Sequence, residues 1–225
     1  MAELDTSRVS TAGLTIDRVT KRFGEQTAVD SLSLTINPGE FVALLGPSGC
    51  GKTTMLRMLA GFETINDGSI QLGNRTLASP DTHVPPEQRN MAMVFQSYAL
   101  WPHMSVADNV GYPVKLRGLR GAAYHQKVQQ ALALVELDAY ADRMPQALSG
   151  GQRQRVALAR CLVSDPSVVL LDEPLANLDR HLRATMEHSF RDFHQRTGAT
   201  LVYVTHDQTE AMALADKIAV MKAGK

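Results

Sequence analysis

The sequence contains no apolar run approaching the roughly 20 residues that a membrane-spanning helix needs. Its start, Met1 to Thr11, lacks the apolar core of a secretory leader. The chain is therefore expected to be soluble on its own, with any membrane role exercised through a partner. Cysteine is scarce. Cys50 falls in a glycine-rich loop and Cys161 in a predicted helix, which argues against a structural disulfide and fits a reducing cytoplasm. An excess of one charge is lacking too. The 23 basic and 23 acidic residues cancel, so no nucleic-acid partner is expected. There is no internal repeat and no low-complexity segment. The 225 residues are enough for one large α/β domain with a well-buried core.

What is present centres on residues 41–54. Phe41 to Leu45 is unbroken apolar sequence, as in a strand buried on both faces. Gly46-Pro47-Ser48-Gly49-Cys50-Gly51-Lys52-Thr53 follows and reads G-x-x-x-x-G-K-T, with Thr54 next in line. Met55 to Ala60 continues as good helix-forming sequence that Gly61 can cap. This is a phosphate-binding P-loop in its proper setting, between a buried strand and a helix start. Gly46, Gly49 and Gly51 let backbone amides approach an anion, and the helix start adds unpaired N–H groups and positive potential. Lys52 supplies a cation for the β- and γ-phosphates, and the Thr53 hydroxyl suits Mg²⁺.

Before this loop, Leu14 to Val19 and Leu32 to Ile36 alternate as half-buried strands, and Asn37-Pro38-Gly39 is a turn. They predict an antiparallel sheet beside the nucleotide site. Phe23, between the two strands, reads either as an adenine-stacking face or as an ordinary buried aromatic, and the local sequence favours the latter. After the first helix come a short strand at Gly68–Gly73 and a proline-containing loop at Ser79–Pro86. Met91 to Phe95 is a buried strand that ends at Gln96, a residue that serves equally as a Mg²⁺ or water ligand and as a plain polar strand end.

From Ser97 to Asp165 the pattern turns helical. Ser105 is a candidate N-cap with Asp108 in the first turn, and Val128, Leu132 and Val135 repeat at helix spacing. Ser149-Gly150-Gly151-Gln152 opens a long helix and makes a second anion-binding helix start, the alternative being an ordinary cap. Val168 to Leu171 is a strand ending in Asp172 and Glu173, the first suited to Mg²⁺ coordination and the second to orienting or deprotonating a water. Leu182, Met186, Phe190 and Phe193 form one apolar helix face. Thr200 to Thr205 is a buried strand ending at His206, positioned to contact a γ-phosphate or the attacking water. Lys217 to Met221 is the last strand.

Together these motifs resemble the ATPase subunit of an ATP-binding cassette (ABC) transporter. Gly46–Thr53 looks like its Walker A, Gln96 its Q-loop, Leu148–Gln152 its signature motif, and Val168–Asp172 with Glu173 its Walker B and catalytic glutamate. Leu175-Ala176-Asn177-Leu178-Asp179 looks like the D-loop and His206 the H-loop. Phe23 falls at the A-loop, usually tyrosine, and Ala176 stands where the D-loop usually has serine. The segment Val94 to Val106 is similar to that of importers for polyamines, ferric iron, sulfate, phosphonate or maltose-type sugars.

The resemblance implies an α/β fold: a P-loop NTPase core at about 12–95 and 166–225, a lateral antiparallel β-subdomain, and an inserted α-helical subdomain at about 96–165. It implies ATP and Mg²⁺, and a head-to-tail dimer with a second copy in which Ser149, Gly150, Gly151 and Gln152 face the partner's nucleotide. Glu173, His206 and Gln96 would be catalytic, Thr53, Gln96 and Asp172 would serve the metal, and Asp179 would act in the D-loop. Integral-membrane permease subunits are the implied direct partners, a substrate-binding protein the indirect one, and the cytoplasmic face of the inner membrane the location. The C-terminal β-barrel regulatory domain common in this branch is expected to be absent. Soluble ABC ATPases of DNA repair or translation are the alternative, but the former need a long coiled-coil insert and the latter usually two cassettes. A non-hydrolysing binding module is countered by Glu173 and His206.

Overall fold

A computed structural model describes residues 13–95, 97–176 and 180–225. The chain opens with β1 (Leu14–Phe23), β2 (Gln26–Ile36) and β3 (Phe41–Leu45), then α1 (Lys52–Ala60). β4 (Asp67–Leu72), β5 (Arg75–Ser79), β6 (Thr82–His83) and β7 (Met91–Val94) follow. A helical layer holds α2 (Val106–Leu116), α3 (Gly121–Leu134) and α4 (Gly150–Leu162). The chain then returns as β8 (Val168–Asp172), α5 (Arg180–Thr197), β9 (Thr200–Thr205), α6 (Gln208–Leu214) and β10 (Lys217–Val220).

The strands form two sheets, an antiparallel one ordered β2-β1-β4-β5-β6 and a parallel one ordered β10-β3-β9-β8-β7. The parallel strands are apolar without a break because both of their faces are covered. Side chains still alternate between the two faces. Val168, Leu170, Val202 and Val204 join one core with α1 and the antiparallel sheet, whereas Val169, Leu171, Leu201 and Tyr203 join the other with the helical layer and α5. The predicted face of α5 lies in this second core at Met186, Phe190 and Phe193; the Leu182 side chain is outside the described residues.

Register decides the function. Leu45 pairs with Thr205, Asp172 with Val204, and Val94 with Leu171. The residues that follow each strand, from Gly46, Glu173, His206 and Phe95 onward, therefore emerge at one edge of the sheet, where open α/β sheets bind ligands.

The structure corrects several element boundaries. β1 and β2 run farther than the alternation of Leu14–Val19 and Leu32–Ile36 suggests, meeting at Phe23 and Gln26. Register shifts interrupt the period, with Arg18 at φ 46° and Ser31 at φ 51°. Side chains satisfy the displaced amides: the Arg18 amide donates to Ser33 Oγ at 2.9 Å and that of Ser31 to Thr20 Oγ1 at 3.0 Å. The expected loop at Ser79–Pro86 instead contains the edge pairs Ala78–His83 and Ser79–Thr82, too short to show periodicity.

Helix does not begin at Ser97. Tyr98 and Ala99 are both left-handed (φ 61° and 47°), and Arg160 of α4 donates to their carbonyl oxygens at 2.9 and 2.7 Å. Asn109, fully buried, accepts from the Trp101 amide and donates to the carbonyls of Trp101, Met104 and Ser105. Ser105 then caps α2 by accepting from the Asp108 amide at 3.1 Å, as its sequence predicts. Both cysteines are free and buried, and burial pushes the Cys161 thiol up to about 12, so it stays a thiol.

Candidate nucleotide site

The loop between β3 and α1 is shaped by what its glycines avoid. Gly51 stands at the head of α1 with φ 105°, and a Cβ there would lie 2.4 Å from the Ala28 carbonyl oxygen on β2. A Cβ at Gly46 would lie 2.2 Å from the Met221 carbonyl oxygen. No side chain caps α1, so its first amides keep their donors for another acceptor. Lys52 is 4% exposed and curls back to donate to the carbonyls of Gly46 at 2.7 Å and Pro47 at 3.0 Å. Its ammonium thus rests inside the loop on weak neutral acceptors, which an anion can replace.

The adjoining strand ends complete the site. The Thr53 hydroxyl donates to Asp172 Oδ1 at 3.1 Å, which puts two hard oxygen donors together. Burial raises the Asp172 carboxyl above its ordinary range; the Thr53 bond, Arg57 and Lys52 oppose this, and Glu173 reinforces it. A carboxylate destabilised in this way gains from a cation. Among the described residues no three His, Cys, Asp or Glu side chains converge on a metal position. An ion here would draw most of its ligands from phosphate and water, as Mg²⁺ commonly does.

Glu173 sits just past β8 with φ 44°, a conformation that costs a non-glycine residue about 1–3 kcal/mol and that clusters at functional sites. Its amide donates to the Val204 carbonyl at 3.1 Å, and its Oε2 lies 3.3 Å from His206 Nδ1. Behind His206 a buried network fixes the turn. Glu210 accepts from the hydroxyls of Tyr203 at 2.8 Å and Thr205 at 2.7 Å, and Thr205 Oγ1 accepts from the Asp207 amide at 3.0 Å. A cavity of about 40 Å³, enough for a water or two, lies between Glu173, Thr205, His206 and Glu210.

Phe23 is 48% exposed, which overturns the ordinary buried aromatic that its local sequence favours. Its hairpin passes against the P-loop at Ala28 and Gly51. Ser149 and Gln152 form a true capping box at the start of α4: Ser149 Oγ accepts from the Gln152 amide, and Gln152 Oε1 accepts from the Ser149 amide. The capping role weighed as an alternative is therefore real for those two residues, while the Gly150 and Gly151 amides have no intrahelical acceptor. Among the described residues no hydrogen bond or ion pair joins Ser149–Gln152 to the P-loop, Asp172, Glu173 or His206. Gln96 and Asp179 lie outside the described residues.

Sequence reading missed Glu210, Lys21 and the fully buried Arg89. Charged residues carry no local sign that the fold will bury them.

A family profile described as "ABC transporter" matches residues 29–176. The chain is 55% identical over 212 residues to the spermidine/putrescine import ATP-binding protein PotA of Pseudomonas aeruginosa, covering 94% of this chain and 57% of that one. It is 52% identical to the diacetylchitobiose uptake system ATP-binding protein MsiK of Streptomyces coelicolor, covering 95% and 56%. To the maltose/maltodextrin import ATP-binding protein MalK of Escherichia coli K12 it is 50% identical, covering 95% and 57%. It thus spans a little over half the length of these relatives. A solved structure of the ATP-binding cassette MJ0796, a dimeric post-hydrolysis state bound to ADP and Pi, matches with a TM-score of 0.80 at 31% identity, covering 94% of this chain and 95% of that one.

Proposed function

The chain belongs to the ABC transporter family, and on that premise we propose that it binds and hydrolyses ATP to drive import through a membrane permease. The observation that carries the reading is the convergence at one sheet edge of Lys52, the Thr53–Asp172 contact and the Glu173–His206 pair. Lys52 exchanges its carbonyl acceptors for phosphate oxygens, and residues 46–54 with the start of α1 hold the triphosphate. Thr53, Asp172 and Gln96 would hold Mg²⁺, which would neutralise charge on the phosphates. Glu173 takes a proton from water as the water oxygen bonds to the γ-phosphorus and the bond to the bridging oxygen breaks, giving ADP and phosphate. His206, steadied by Thr205 and Glu210, orients the γ-phosphate.

Two anion-binding helix starts that do not meet within one chain support a head-to-tail dimer with a second copy. In it Ser149, Gly150, Gly151 and Gln152 complete the partner's site, and Asp179 acts in the D-loop. The dimeric state of the MJ0796 cassette supports the same arrangement. Among the described residues no helix is long and apolar enough to cross a membrane. The importer relatives support attachment at the cytoplasmic face through integral-membrane partners. Relatives at 50–55% identity bear names for polyamine, chitobiose-derivative and maltodextrin cargoes, which supports a reading in which the permease and its binding protein choose the cargo. The importer names likewise favour transport over DNA repair or translation.

The test is Glu173→Gln. The variant should bind Mg-ATP with unchanged affinity, lose turnover, and accumulate as an ATP-bound dimer on size-exclusion chromatography. Hydrolysis near the unsubstituted rate would remove Glu173 from the base role.

A further inference from the structure

Lys21 is two residues before Phe23 on β1, and its side chain is almost wholly buried. Its ammonium is held from the segment after α1 by Glu63 Oε2 at 3.3 Å and Thr64 Oγ1 at 3.3 Å. It lies 4.9 Å from the centroid of the Phe23 ring, over its face. Nearby anchors fix the same end of the strand. The Arg22 amide donates to Asn66 Oδ1 at 2.7 Å, and the Asn66 amide to the Thr20 carbonyl at 2.8 Å. Residues 20–22 are thus tied down one after another, and the next side chain is a half-exposed aromatic ring.

We propose that Lys21 is a positioning residue for the adenine platform, presenting the Phe23 ring to the base and adding to the preference for a nucleotide over a bare polyphosphate. The inference rests on the ATP-binding reading above. A phenylalanine at this position has no hydroxyl with which to fix its own ring, so orientation must come from packing or from a charge. A cation over an aromatic face is attracted by the ring's quadrupole. It also draws electron density toward itself, which favours stacking of an electron-rich purine on the opposite face. Glu63 and Thr64 hold the ammonium in place, so it need not find its geometry when the nucleotide arrives.

The test measures Kd for ATP and for inorganic tripolyphosphate by calorimetry with the 225-residue chain, for Lys21→Met, Phe23→Ala and the double variant. Lys21→Met should weaken ATP about two- to five-fold, the cation–π contribution expressed as affinity, and leave tripolyphosphate unchanged. In the Phe23→Ala background the same substitution should have no further effect. Lys21→Arg, which keeps a cation over the ring, should retain ATP affinity within about two-fold. Equal losses for both ligands, or the same loss with Phe23 absent, would overturn the positioning role while leaving ATP binding intact. An unsubstituted chain that binds neither ligand would overturn the ATP reading and this inference with it.

Discussion

Replacing Arg89 with methionine should cost little stability, and less than replacing it with lysine. Arg89 is fully buried, with no carboxylate paired to it among the described residues. Its guanidinium donates to the carbonyls of Met58 at 2.6 Å and Leu59 at 2.9 Å at the end of α1, Val84 at 2.7 Å, and Leu77 at 3.3 Å. It thereby joins the C-terminal end of the P-loop helix to the β5–β6 edge, and its charge complements the helix dipole. In the methionine variant Met58 still accepts from the Gly61 amide and Leu77 from the Val84 amide. Only the Leu59 and Val84 carbonyls lose their donors, at about 1–3 kcal/mol each, or about 2–6 kcal/mol together. Against this, burial lowers the Arg89 pKa below the ordinary guanidinium value, to about 10, so the folded state penalises the charged form throughout the neutral range. At 1.36 kcal/mol per unit that penalty is on the order of 3 kcal/mol, and the neutral methionine removes it. The two terms nearly cancel, leaving a net loss centred near 1 kcal/mol, or about 2–4 °C in Tm for a chain of this size. Lysine keeps a buried charge, is more strongly hydrated, and reaches fewer carbonyls, so its loss should exceed that of methionine by several kcal/mol. Urea unfolding followed by circular dichroism at neutral pH measures both. A methionine variant less stable than the lysine variant would refute the reasoning and show that the hydrogen bonds outweigh desolvation.

Asp172→Asn should keep an acceptor for the Thr53 hydroxyl while removing a charge that burial and Glu173 disfavour. Without nucleotide its Tm should match or exceed that of the unsubstituted chain, and the advantage should shrink as pH falls, because the raised carboxyl then protonates in the unsubstituted chain too; the Mg²⁺-dependent part of thermal stabilisation by ATP should vanish. A shared active site predicts complementation. Lys52→Ala and Ser149→Arg homodimers should each trap no nucleotide, whereas a mixed dimer places both lesions in one site and leaves the other intact. Trapped nucleotide should therefore return on mixing, and its failure to return despite proven subunit exchange would count against the head-to-tail dimer.

How much of this was legible in the sequence depended on how local each cause is. The P-loop is written in residues whose roles are backbone roles: glycine where a Cβ would strike Ala28 or Met221, and apolar runs wherever a strand has two covered faces. Asp172, Glu173 and His206 were found because each follows directly on such a run, and strand register then carries them to one edge. Arg89 and Lys21, which tie the neighbouring elements together, were not found, because their partners are distant in sequence. Arg89 meets Met58 and Leu59 from 30 residues away or more, and Lys21 meets Glu63 and Thr64 across more than 40. Phe23 shows the same limit from the other side. Its neighbours suggest burial, yet it is half-exposed at the end of a strand that the segment after α1 anchors. A P-loop can therefore be recognised from 14 consecutive residues, 41–54. The proposed adenine face of Phe23 depends instead on the strand that carries it being tied to the segment after the helix that the P-loop begins.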